Sequence, residues 1–108
     1  MFLARVIGQV VSTKKEPEMH GRRLLLLRPM LADEKDPGKL RSGSNTVVAV
    51  DGLGAGQNEM VLFVQGSSAR KCTGFSAMPI DAAVVGIVDS VSVEGQSAYD
   101  ARTASTQS

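Results

Sequence analysis

Residues 51–70 read DGLGAGQNEMVLFVQGSSAR, two small-residue loops on either side of an uninterrupted apolar run. In the first loop Gly54 and Gly56 sit two residues apart, where a missing Cβ permits positive φ or close approach of backbone. Glu59 opens the run Met60 to Val64, and Gly66, Ser67, Ser68, Ala69 and Arg70 follow it. Successive strand residues face opposite ways, so Met60, Leu62 and Val64 share one face and Val61 and Phe63 the other. Both faces are apolar. A strand with no wet face is covered on two sides, and in a chain this short a neighbouring subunit is one candidate for the second cover.

Working outward, four further segments have strand character. Phe2 to Ser12 is rich in aliphatic and β-branched residues and stops at a charged turn containing Pro17. Arg23 to Pro29 holds a short leucine run, and its brevity between Gly21 and Pro29 favours strand over helix. Thr46 to Asp51 leads straight into the glycine loop. Asp81 to Val91 is the last, with Gly86 at its centre as a bulge or a point of close backbone approach. Between the second and third of these, Met30 to Ser44 is polar and carries Pro37, Gly38 and Gly43, which is loop chemistry. Beyond Gly95 the chain has few bulky apolar residues and reads as a frayed polar tail. The domain expected is thus residues 1–94, with 95–108 as a flexible extension.

Five short strands with little helix give an all-β class, a small five-stranded OB-like Greek-key β-barrel with short irregular or helical connections. At 108 residues the chain suits one domain. The first residues, MFLARVIGQVVS, are apolar, but Arg5 and Gln9 interrupt them, so they read as strand rather than signal segment and the expected setting is the cytosol.

Composition narrows the function. Twelve basic side chains against eleven acidic ones leave a formal charge of +1, which gives no electrostatic reason to expect nucleic acid or an anionic membrane as partner. Cys72 is the single cysteine and His20 the single histidine, so neither an internal disulfide nor the usual zinc ligand sets are available. No metal and no cofactor is expected. The loop Gly52 to Gly56 lacks a phosphate-loop lysine and leads into a strand rather than a helix, so it reads as a structural turn with Gly54, Gly56 and Glu59 as its key residues. Ser67 and Ser68 have no nucleophile elbow around them. Asp33, Glu34 and Asp36 lie in a charged loop with nothing apolar to shift a pKa, and Asp51, Asp81 and Asp89 are accounted for by turn hydrogen bonds or subunit contacts. No catalytic residue is expected.

Several segments in fixed order resemble one family. They are Leu3 to Gly8, the leucine run from Gly21 to Pro29, Val48 to Asp51, Gly54 to Gly56 with Glu59, Gly66 to Arg70, and Pro79 to Ala83 continuing through Gly86 to Asp89. The resemblance, over roughly residues 1–91, is to the EutN/CcmL family of bacterial microcompartment vertex proteins. It implies an OB-like barrel that forms a cyclic homopentamer, caps the fivefold vertices of an icosahedral shell, joins hexameric and trimeric shell proteins there, and is not an enzyme. Gln57 and Asn58 depart from the family's more usual glycine-containing step, and the loop from Asp33 to Ser44 is long and charged.

In a ring, a residue near the axis meets its own copies, so bulk collides and charge repels. Carried over from the family, Gly66, Ser67, Ser68 and Ala69 are therefore candidates for the axial channel or subunit boundary, an ordinary turn being the other reading. Arg70 is either an intersubunit donor or a surface arginine. The competing function is an OB-type binding module for single-stranded nucleic acid or oligosaccharide. Such surfaces combine stacking aromatics with a basic groove, whereas the aromatics here are few and scattered.

Overall fold

The computed structural model describes residues 1–11, 23–66 and 82–103. Within them the chain forms eight strands: β1 Phe2–Val10, β2 Arg23–Ala32, β3 Leu40–Ser42, β4 Val47–Asp51, β5 Met60–Gln65, β6 Ala82–Ile87, β7 Ser90–Val93 and β8 Gln96–Asp100. Five of them close on themselves in the order β1-β5-β6-β4-β2, the pairing of β2 with β1 completing the ring. All contacts are antiparallel except β4 with β6, which is parallel through Val50 and Ala83. This is the five-stranded Greek-key barrel expected from the strand count. Closure leaves none of the five with a free edge.

Alternation along the strands fills the interior. Ala4 and Val6 of β1, Leu25 and Leu27 of β2, Ala49 of β4, Val61 and Phe63 of β5, and Ala82 and Val84 of β6 form one buried cluster. Phe2 covers it from one side, its ring 5.4 Å from that of Phe63. Two bulges adjust the walls. One inserts Ile7 between Val6, opposite Leu27, and Gly8, opposite Leu26. The other inserts Val85 between Val84, opposite Phe63, and Gly86, opposite Leu62, so the irregularity expected at Gly86 lies one residue earlier.

The expected strand boundaries require correction. The second strand does not stop at Pro29 but runs on to Ala32. Pro29 sits where β2 changes partner: the ladder with β4 ends at the Leu27–Val47 pair and that with β3 begins at Met30–Ser42. Its missing N–H falls at this changeover, while its carbonyl accepts a hydrogen bond from Gly43 N at 2.8 Å. The loop from Met30 to Ser44 accordingly contains a short strand and a tight turn. The last expected strand, 81–91, is interrupted at Val88 and Asp89, where β6 leaves the barrel and β7 begins.

The residues read as a frayed tail include β8, which pairs with β7 in a hairpin. Glu94 and Gly95 form its turn with φ of 51° and 79°, the left-handed pair that a two-residue hairpin turn demands. The boundary expected between residues 94 and 95 falls inside that turn. Its strands are short: β7 alternates over only four residues, with Val91 and Val93 half-buried, and β8 carries few bulky apolar side chains. The ribbon approaches the 36–38 turn closely: a Cβ on Gly38 would stand 3.2 Å from Gln96 Oε1.

Candidate functional site

The sequence calls for a structural turn at Gly54, Gly56 and Glu59, and the loop leaving β4 is built as one. Asp51, at the end of β4, turns a fully buried carboxylate onto the chain that follows it. Its Oδ1 accepts from Leu53 N at 2.9 Å, and its Oδ2 from Gly54 N at 3.1 Å and Ala55 N at 2.9 Å. Arg23, paired with Asp51 across the sheet, adds a guanidinium contact at 3.5 Å. Gly54 takes φ of 86°, a conformation that costs little only without a Cβ. The wrap delivers Ala55, with no exposed surface, into the barrel's core cluster. The loop is therefore a plug.

Glu59 closes the other half. Its Oε1 accepts from Gly56 N, and its own N–H donates to Gly56 O at 3.1 Å. Asn58 N donates to Val6 O and Val6 N to Glu59 O, while Gln57 Nε2 reaches Ile7 O at 3.0 Å, so the loop is latched to β1. Asn58 has φ of 70°. Asparagine is among the non-glycine residues most at ease there, which accounts physically for its place at this step. Turn bonding was one of the two readings the sequence left for Asp51, subunit contact being the other; the covering guanidinium of Arg23 was not legible, because it arrives only through strand register.

This geometry bears on the phosphate-loop reading. The amides of Leu53, Gly54 and Ala55 that would face an anion already face the chain's own carboxylate. Asp33 and Asp36 similarly bond their own turn, accepting from Lys35 N at 2.9 Å and Gly38 N at 3.0 Å. Lys39 Nζ adds a loose, exposed contact to Asp36 at 3.8 Å. Among the described residues no group of three or more histidines, cysteines or carboxylates is arranged to hold a metal, and no helix is long and apolar enough to cross a membrane. Phe63 is in the core and is closed to a stacking base, and the half-exposed Phe2 is tilted against it.

Of the other site candidates, Gly66 follows β5 with φ of 68°, a left-handed backbone conformation. Ser67, Ser68, Ala69 and Arg70 lie outside the described residues.

The outer wall of the barrel is apolar as well. Leu24 and Leu26 of β2 lie opposite Val50 and Val48 of β4, and Val50 and Val64 both flank Ala83 of β6. Val48 is exposed on this surface and Leu24 and Leu26 are half-buried, while Val50, Val64 and Ala83 are already covered within the chain. The sequence pattern of strands with two apolar faces is thus real in three dimensions.

Residues 1–89 match the family model described as ethanolamine utilisation protein EutN/carboxysome. The chain belongs to the EutN/CcmL family. Within it, the chain is 51% identical over 92 residues to the bacterial microcompartment shell vertex protein PduN of Salmonella typhimurium, covering 85% of this chain and 99% of that one. The structure of Gloeobacter violaceus CcmL superposes with a TM-score of 0.81 at 43% identity, over 94% of this chain and 99% of the other. The GrpN pentameric microcompartment shell protein from Rhodospirillum rubrum superposes with a TM-score of 0.72 at 44% identity, over 86% and 99%. The EutN/CcmL barrel of this chain therefore has close structural counterparts along almost its whole length.

Proposed function

We propose that this protein is a structural component of a bacterial microcompartment, a cyclic homopentamer that caps the fivefold vertices of the icosahedral shell. The observation that carries the reading is family membership together with likeness to a pentameric shell protein over most of the chain. The physical counterpart is the apolar outer wall. The five strands of the closed barrel have no free edge, so barrel meets barrel there through side-chain faces, and exposed apolar side chains such as Val48 are what a stable ring buries. A flat array of hexagonal tiles needs fivefold units to close, so the expected partners are hexameric and trimeric shell proteins, and the expected place is the shell of a microcompartment inside the cell. The role is one of assembly rather than catalysis.

Gly66 to Ala69 are proposed to line the fivefold axis or the subunit boundary, with Arg70 bonding across it. Gly66 takes a left-handed φ of 68° directly after β5, the conformation of a turn rather than of a continuing strand, which supports that reading. Replacing Ser67 with Glu then sets five like charges around one axis and weakens the ring; a variant ring as resistant to dilution as the wild type contradicts the placement. The function itself is tested by co-expression with hexameric shell tiles. Closed polyhedral shells with the chain present, and open sheets or tubes without it, are expected. Open assemblies in both cases overturn the reading.

A further inference from the structure

Among the described residues, the outer wall carries a facing pair of arginines. Arg5 of β1 and Arg28 of β2 are partners in the antiparallel ladder, directly opposite one another. Their neighbours Ala4, Val6 and Leu27 point into the core, so both arginines project from the outside of the barrel. Like charges directly opposite on a sheet repel, and the usual remedy is a nearby carboxylate. Among the described residues neither arginine has one: the ion pairs there are Arg23–Asp51, Lys39–Asp36 and Arg102–Asp100.

Arg28 adds a second, independent signal. Its Nε is buried yet has no hydrogen-bond acceptor. A buried N–H without a partner costs roughly 1–3 kcal/mol, more on a charged group, and such groups in stable proteins call for a specific account. The surround is apolar: Met60 lies across from Arg5 on β5, Leu3 lies opposite Leu62, and Leu26 precedes Arg28 on the same face of β2. Water is a poor substitute there once a neighbour covers the wall.

We propose that the Arg5–Arg28 couple is a docking point for a carboxylate supplied by the adjacent copy of this chain, which places the β1–β2 wall at the boundary between subunits. The inference rests on the ring assembly proposed above. A carboxylate offers two acceptor oxygens to a guanidinium fork, satisfies Nε, and lies between the two positive charges so that their repulsion becomes attraction to a shared anion. A second copy is the occupant because the charges sit within an apolar wall suited to burial by a like subunit, and because a near-neutral chain with nearly equal numbers of acids and bases carries the complementary group itself.

The test is sedimentation of the full chain, with Arg28→Met and Arg5→Met, across a dilution series at low and high salt. Arg28→Met keeps the length and apolar stem of the side chain while removing the unpaired donor, so folding is retained. Expected is a wild-type ring whose dissociation becomes easier with added salt, and variant rings that dissociate at concentrations about tenfold higher or more and lose that salt dependence. Arg28→Met rings as tight as the wild type or tighter, with the same salt response, overturn the proposal while leaving the ring intact. A wild type that never forms a ring overturns the assembly reading as well, so the two failures are separable. Arg5 is exposed and its replacement leaves the core untouched, so Arg5→Met decides the matter should Arg28→Met fold poorly.

Discussion

The loop after β4 and the β1–β2 wall each set charge against an apolar background, and they differ in how that charge is answered. Asp51 is buried, yet three backbone amides and Arg23 meet its two oxygens within the same chain. Arg5 and Arg28 face each other across a ladder with no carboxylate between them among the described residues, and one buried N–H has no acceptor. The first region is complete in a single subunit and serves the fold. The second is incomplete there, and incompleteness in an otherwise well-satisfied barrel marks the surface that assembly finishes.

The sharpest way to break this contrast is to damage the complete region. Asp51→Ala strands three amides and a guanidinium, and a loss of about 3–5 kcal/mol in urea unfolding is expected, with Ala55 no longer held in the core. A loss below about 1 kcal/mol would mean that the loop is not the plug described here. Gly54→Val comes next. A β-branched residue at φ of 86° costs about 1–3 kcal/mol, again read as reduced stability to urea, whether or not the ring persists.

Asn58 sharpens the account of the same loop. At φ of 70°, Asn58→Gly is expected to change stability by less than about 0.5 kcal/mol, whereas Asn58→Val costs at least about 1 kcal/mol. Equal effects of the two would remove the conformational explanation for asparagine here.

The smallest effect belongs to the end of the hairpin. Asp100 accepts from Arg102 Nε and Nη2 at 3.3 and 3.2 Å and from Arg102 N at 2.9 Å, and these bonds hold its carboxyl below the usual carboxylate range. Because the folded-state pKa is depressed, the contribution is present above the unfolded-state value and lost as pH falls through the folded one. The carboxylate is solvated, so the effect is slight. In Asp100→Asn it is absent, and a comparison of acid titrations by NMR of the hairpin amides checks this: the amides around Arg102 shift less on acidification in the variant than in the wild type, and equal shifts would contradict the assignment.

The five barrel strands were legible because apolar residues concentrate in them and turn residues separate them. Gly54, Gly56 and Glu59 were legible as a turn for the same reason: small residues after an aspartate have few other uses. The β7–β8 ribbon was hidden because its alternation, Val91 and Val93 between serines, spans only four residues and β8 adds little apolar weight to it. β2 was cut short because a proline argues against a ladder, and only the change of partner at Pro29 shows why it is tolerated. The Arg5–Arg28 couple was invisible for a different reason. Strand register, including the bulge at Ile7, decides which residues stand opposite one another, and register is a property of the closed barrel rather than of either segment.

The central claim is that the barrel is unfinished until it joins its copies, and the most direct measurement is the native mass of the purified chain across a dilution series. The account predicts a discrete species of five times the chain mass that persists well below micromolar concentration. A monomer at every concentration would contradict it, and would leave the apolar outer wall and the unanswered arginines to be covered by something other than this chain.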